Sequence, residues 1–251
     1  MKRSNIIIMI TAILTISWLL LSGWMQSKAY RIIQSGKTCS YAVAAGRENI
    51  IQLQAFKNIK VEIGKHSDPP FVFIQYAEKN EMTYTNDLKE AISETISRDT
   101  LYLNVKNGKL NSNAVININV QKLNSLFMSS TTENDVNYKE NSVSTIISGF
   151  NANSLYIKNN GANYLRIEKN KLHKLELNGN FYMGGKVKIS QYPDYDSIKL
   201  DIEGKNGSLI MGFRENERTK RNPNQWIDIK LPATFHVDAD VSVTNRISLR
   251  K

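Results

Sequence analysis

Four phrases in this 251-residue chain share one pattern, a short alternating apolar run followed by Asn-Gly. They are LYLNVKNG at Asn107-Gly108, NSLYIKNNG at Asn160-Gly161, KLHKLELNGN with Asn178-Gly179, and DSIKLDIEGKNG at Asn206-Gly207. A period of two points one face of a strand toward a core, and Asn-Gly readily takes the positive φ of a tight corner. A strand with only two or three inward apolar side chains buries little by itself. It must share both its core and its backbone ladder with neighbours.

The spacing of these runs narrows the choice of neighbours. Apolar positions at Leu126, Leu155/Ile157, Leu165/Ile167, Leu175/Leu177, Val187/Ile189, Ile198/Leu200/Ile202 and Leu209/Met211 recur mostly about ten to twelve residues apart, the length of a strand plus a turn. Two such runs make a coil of roughly twenty residues, in the range of β-solenoids. The expected architecture is therefore all-β and solenoid- or β-helix-like. Asn-Gly turns each corner, and asparagine amides bond from coil to coil. An antiparallel β-sandwich of hairpins uses the same turns and alternation and is the alternative.

Upstream of the repeats, Phe56, Ile59, Val61 and Ile63 fall largely on one side of a strand, and FVFIQYAE follows the strand-entry prolines Pro69-Pro70. Asn86 or Asp87 is placed to cap a short helix through Ile92. Thr95 to Val105 reads as two strands turning at Arg98-Asp99, and Ala114 to Val120 as another. Downstream, Trp226, Ile227 and Ile229 cluster and a strand is expected from Thr234 to Val243, a segment suited to close a repeat array.

The N-terminus has a different character. MKRSN precedes an uncharged run from Ile6 to Met25, which as a helix at about 1.5 Å per residue spans roughly 30 Å, the hydrocarbon core of a bilayer. Lys2 and Arg3 favour a cytoplasmic start. The expected organisation is a short cytoplasmic N-terminus over residues 1–5, a transmembrane helix or signal-anchor over 6–25, a connector with the first strands over 26–55, and a β-solenoid domain with its cap over 56–251. The lipid bilayer is then the first partner. The domain lies outside the cytoplasm of a bacterial inner membrane, in the periplasm. Ser27 and Ala29 also fit a signal-peptidase site, so export after cleavage near Ala29 is the alternative.

A formal charge of +10 would suit a polyanion, but Lys and Arg are spread through every segment. This describes a solvated surface and gives no reason to expect a nucleic-acid partner. The single cysteine, Cys39, excludes an internal disulfide framework and a cysteine-based zinc site. No nucleophile elbow, Walker loop, dinucleotide fingerprint or His-Glu-x-x-His motif occurs, and no cofactor is expected.

The phrases AFKNIKVEIG, DTLYLNVKNG, AVININVQKLNSLFMSS and the LELNGN-like repeats, in this order, resemble the GIN-domain family of auto-transporter adhesin heads over approximately residues 56–213. The resemblance implies a right-handed solenoid-like β fold, export to the bacterial envelope, and no catalytic residues to carry over.

Two clusters are candidate sites. On a strand, His236, Asp238 and Asp240 share one face, a geometry able to hold a divalent cation; the opposite face, Phe235, Val237, Ala239 and Val241, makes the same trio the wet side of an amphipathic strand. Tyr192, Asp194, Tyr195 and Asp196 group carboxylates with rings, as a sugar site or a glycosidase does, although Tyr-Pro-Asp is first of all a turn. His66 reads as a loop residue and His173 as a surface residue at a strand start. The sequence thus points to a non-enzymatic envelope protein that binds or scaffolds a protein or glycan. A carbohydrate-active enzyme on a β-helix and a membrane-tethered signalling module are the alternatives.

Overall fold

The computed structural model describes residues 48–64, 69–106, 110, 114–130, 143–181, 185–190, 195–212, 225–239 and 247–250. The N-terminal apolar segment, Cys39, His66 and the Asn107-Gly108 corner lie outside these residues. Among the described residues, no helix is long and apolar enough to cross a membrane.

The chain is all-β, in two nine-stranded mixed sheets. The first sheet contains β1 (Glu48–Gln52), β3 (Phe71–Tyr76), β4 (Glu81–Thr85), β7 (Val115–Val120), β9 (Val143–Ser148), β11 (Ala162–Glu168), β13 (Lys186–Ser190), β15 (Ser208–Gly212) and β17 (His236–Ala239). Their spatial order is β1-β4-β7-β3-β9-β11-β13-β15-β17. The second contains β2 (Asn58–Ile63), β5 (Ile92–Ser97), β6 (Thr100–Val105), β8 (Ser125–Ser130), β10 (Asn151–Asn160), β12 (Lys171–Phe181), β14 (Ser197–Gly204), β16 (Trp226–Pro232) and β18 (Ile247–Arg250). Their order is β18-β16-β14-β12-β10-β8-β2-β6-β5.

Pairing is antiparallel only at one end of each sheet, in β1·β4, β4·β7 and β5·β6. The remaining pairs are parallel, which an antiparallel sandwich of hairpins does not produce. From β8 to β18 each connection carries the chain from one sheet to the other.

The alternation read from the sequence becomes columns of side chains. In the first sheet, Val72, Thr145, Leu165, Val187, Leu209 and Val237 stand in register on successive strands. In the second, Leu101, Ile59, Leu126, Ile157, Leu177, Leu200 and Ile229 do the same. Apart from the half-buried Val237, all of these side chains are buried, and the apolar ones join a single core cluster. Each contributes little alone, but a buried aliphatic side chain is worth about 1.5–3 kcal/mol, and stacking supplies that burial at every level.

Corners follow the expected chemistry at three places. Arg98 and Asp99 both have positive φ (47° and 61°) between β5 and β6, the signature of a primed hairpin turn. Asn206 (φ 53°) and Gly161 (φ 109°) turn the chain after β14 and β10. The amides also bridge coils: buried Asn170 accepts from Phe150 N–H (2.9 Å) and donates to Ile147 C=O (3.1 Å), and Gln75 donates to Asn119 Oδ1 (2.6 Å).

Asn178-Gly179, in contrast, is no corner. It lies inside β12, where Asn178 pairs with Asp201 and Gly179 with Ile202. The glycine answers a packing need. A Cβ at Gly179 would sit 2.6 Å from Asn159 O and 2.8 Å from Asn159 Cβ. Asn159 is buried there and donates to Asn180 C=O (3.1 Å).

The expected helix through Ile92 is also corrected. Asn86–Leu88 forms one 3₁₀ turn whose preceding residue, Thr85, makes no side-chain cap, and Ile92 already opens β5. Leu88, drawn fully into the core, accounts for the turn.

Candidate binding site

Outward side chains do not repeat as the inward ones do. On the second sheet, one outward level runs Thr95, Tyr102, Lys60, Phe127 and Lys158 across β5, β6, β2, β8 and β10. Tyr102 is 44% and Phe127 38% exposed, on a sheet face whose other outward positions are mostly Ser, Thr, Asn, Lys and Glu. Phe127 packs against Tyr156 of β10 with centroids 5.9 Å apart and planes tilted by 60°, a favourable edge-to-face-like arrangement. Between the rings, Lys60 Nζ lies 6.0 Å from the Tyr102 centroid and 2.8 Å from Glu62 Oε1. The hydrogen bond to Glu62, together with its charge, holds the Lys60 ammonium above its ordinary pKa. The result is a strip of three rings with a cation on parallel strands, Tyr102 and Phe127 exposed and Tyr156 half-buried.

Farther along the same face the chemistry becomes ionic. Glu176 Oε2 is 3.0 Å from Lys174 Nζ, and its other oxygen is 3.6 Å from Lys199 Nζ. The Lys174 hydrogen bond is the main cause of a Glu176 pKa below the usual carboxylate value, against the opposing effect of burial. Asp228 stands opposite Lys199, and Lys230 opposite Asp201.

The structure distributes the sequence-derived candidates differently from their grouping in the chain. His236 and Asp238 are exposed on one side of β17 while Val237 and Ala239 pack against the core. Asp240 lies outside the described residues. Among the described residues, no three His, Cys, Asp or Glu side chains come together to hold a metal ion. Tyr192 and Asp194 are also outside them. Tyr195 is fully buried and offers no ring to a sugar. It enters the core just ahead of β14, with its carbonyl accepting from Gln225 Nε2 (2.7 Å). Asp196 remains exposed and bonds His173 Nδ1, placing that histidine on the surface of β12.

Sequence reasoning passed over Tyr102, Phe127 and Tyr156. Their signal was present in TLYLNV, SLFMSS and NSLYIKN, where an aromatic residue occupies the face that alternation assigns to water.

These features define a class: an all-β protein whose inner surfaces are filled by its own side chains and whose distinctive chemistry faces outward. Similar solved structures include a "putative adhesin" from Parabacteroides distasonis ATCC 8503, at 16% identity over 76% of this chain and 72% of that one, with a TM-score of 0.48. Another, a "putative adhesin" from Bacteroides fragilis NCTC 9343, matches at 11% identity over 76% and 92% with a TM-score of 0.44. A third, a "putative lipid binding protein" from Parabacteroides distasonis ATCC 8503, matches at 12% identity over 76% and 81% with a TM-score of 0.41. At these values the likeness carries no assignment to this chain. No family model matches the chain, so the GIN-domain likeness stays a resemblance. No curated protein matches it either.

Proposed function

We propose that this chain is a membrane-anchored, extracytoplasmic, non-enzymatic β-solenoid protein of the bacterial cell envelope that binds an envelope protein or glycan, in the manner of an adhesin. The observation that carries the binding role is the Tyr102–Lys60–Phe127–Tyr156 strip. Large exposed rings on a stiff sheet lose little conformational freedom on contact, and they are enriched where proteins bind. Divergent outward side chains on a flat face suit an extended ligand better than a reaction centre, which requires groups converging on one atom. The solenoid reading is supported by the alternation of successive strands between the sheets and by parallel, in-register columns. The anchor and the envelope location rest on the uncharged run from Ile6 to Met25 behind Lys2 and Arg3.

The test is retention of the detergent-solubilised full-length protein on immobilised envelope proteins and glycans freed of lipid. Replacing Tyr102 and Phe127 together by alanine is expected to weaken retention by at least about tenfold, while the melting temperature stays within a degree or two of the parent. Undiminished retention would remove the strip from any binding role.

A further inference from the structure

A second outward feature is a groove of about 540 Å³ at the corner joining the two sheets. It is lined by Tyr76, the Gln121–Asn124 connection, and Phe150 to Ser154. Topology places it. In the first sheet β3 stands between β7 and β9, and in the second β2 stands between β6 and β8. The chain leaving β7 must therefore pass the β2–β3 level to reach β8, while the chain leaving β3 departs the other way, toward β4 beyond β7. The two connections therefore cross and bond each other, Ala77 N–H to Val120 C=O (3.2 Å) and Gln121 N–H to Asn80 Oδ1 (3.0 Å), and the groove lies beside that crossing, between the Gln121–Asn124 connection and the Phe150–Ser154 segment.

The groove is deepened by unequal strand lengths. β10 pairs with β12 from Asn151 onward, but β8 begins only opposite Tyr156. The backbone from Asn151 to Ser154 therefore has a strand partner on one side only.

The lining chemistry is specific in kind. Tyr76, more than half exposed, supplies a ring. Asn124, Asn151 and Asn153 supply amides, and Ser154 supplies a hydroxyl. Several amides elsewhere in the fold are committed to structure: Asn170 and Asn159 to carbonyls and amides of adjacent coils, Asn117 to Thr83 Oγ1, and Gln75 to Asn119. The three groove asparagines enter no side-chain hydrogen bond among the described residues. Lys122 is the one charged residue in the lining.

From this we infer that the groove is a saccharide-binding site for a short oligosaccharide carrying a carboxylate. Each amide offers a donor beside an acceptor, the pairing that adjacent sugar hydroxyls require. The Tyr76 ring matches the apolar face of a pyranose, and Lys122 fixes the acidic group. An added peptide strand is a poorer fit, since the open edge is only four residues long and is bordered by amides instead of apolar side-chain pockets. The site involves none of the residues of the aromatic strip and does not depend on it.

Titration calorimetry of the full-length protein with trigalacturonate and with neutral galactotriose tests this. Trigalacturonate is expected to bind more tightly, Lys122→Gln to erase that preference, and Tyr76→Ala to weaken binding by about tenfold. Asn153→Ala, a smaller change at an exposed site, is expected to weaken it several-fold with an unchanged melting temperature. Failure of both trisaccharides to bind, or binding indifferent to Tyr76→Ala and Asn153→Ala, would overturn the inference. Binding lost instead in the Tyr102→Ala, Phe127→Ala protein would also overturn it, while leaving the strip as the binding surface.

Discussion

Val72, Thr145, Leu165, Val187, Leu209 and Val237 share one level along the inner wall of the first sheet, and all but the threonine are aliphatic. One outer level of the second sheet instead reads Tyr102, Lys60, Phe127, Lys158, Asn178, Asp201 and Lys230. The inner level of these second-sheet strands, Leu101, Ile59, Leu126, Ile157, Leu177, Leu200 and Ile229, is likewise aliphatic throughout, so one set of strands carries a repeating inner sequence and a changing outer one. Inside, each side chain meets its likeness one strand away and must match it in volume. Outside, water tolerates any residue, so Tyr102, Phe127 and Tyr156 stand on neighbouring strands at one end of the face while Glu176, Lys174 and Lys199 form a charge cluster farther along it. Inner positions should therefore report stability, and outer positions binding.

The comparison is strained most by Gly204, whose φ is +133° and whose added Cβ would lie 1.7 Å from Phe181 O. Gly204→Ala forces the β12–β14 pair apart, with an expected loss of about 3 kcal/mol in denaturant unfolding. A loss below half a kilocalorie would mean that the inner wall is loosely packed. Thr145 sharpens the rule from the opposite direction. Its hydroxyl is buried without a hydrogen-bond partner in an aliphatic column, so Thr145→Val is expected to raise stability by about 1 kcal/mol.

The smallest effect belongs to the ionic end of the outer face. The Glu176 pKa is lowered from its usual 4.5, first by the Lys174 hydrogen bond and then by Lys199. A depressed carboxylate stabilises the fold above its unfolded pKa, and the contribution disappears as pH falls through the folded one. Partly exposed pairs of this kind are worth at most about 0.5–1 kcal/mol. Glu176→Gln should therefore cost a few tenths near pH 7 and nothing in acid, measured as parallel melting curves against pH.

Much of the inner wall was legible in the sequence because it is written locally. Phe56, Ile59, Val61 and Ile63 are buried as their spacing requires, and Arg98-Asp99 and Asn206-Gly207 turn where turn chemistry placed them. Non-local causes were not legible. Gly179 reads as a corner glycine until the Asn159 side chain, one coil away, is placed against it. Tyr195 reads as a surface ring until β14 draws it inward. The insertion of β2 and β3 between later strands depends on Ile59 pairing with both Leu101 and Leu126, which no local pattern encodes. The corner groove beside these strands was therefore invisible. The aromatic strip was half legible: its residues stood on the polar side of alternating runs, but only strand order brings them together.

The central claim, parallel strands in register one coil apart, is tested most directly by cross-linking. Lys199 of β14 faces Asp228 of β16, and adjacent strands at about 4.8 Å lie within disulfide reach. With Cys39 replaced by serine, Lys199→Cys and Asp228→Cys are expected to form an internal disulfide readily, without loss of melting temperature. The pair Lys199→Cys and Lys230→Cys, displaced along the strand, should not. Linkage of the displaced pair, or of neither, would contradict the account.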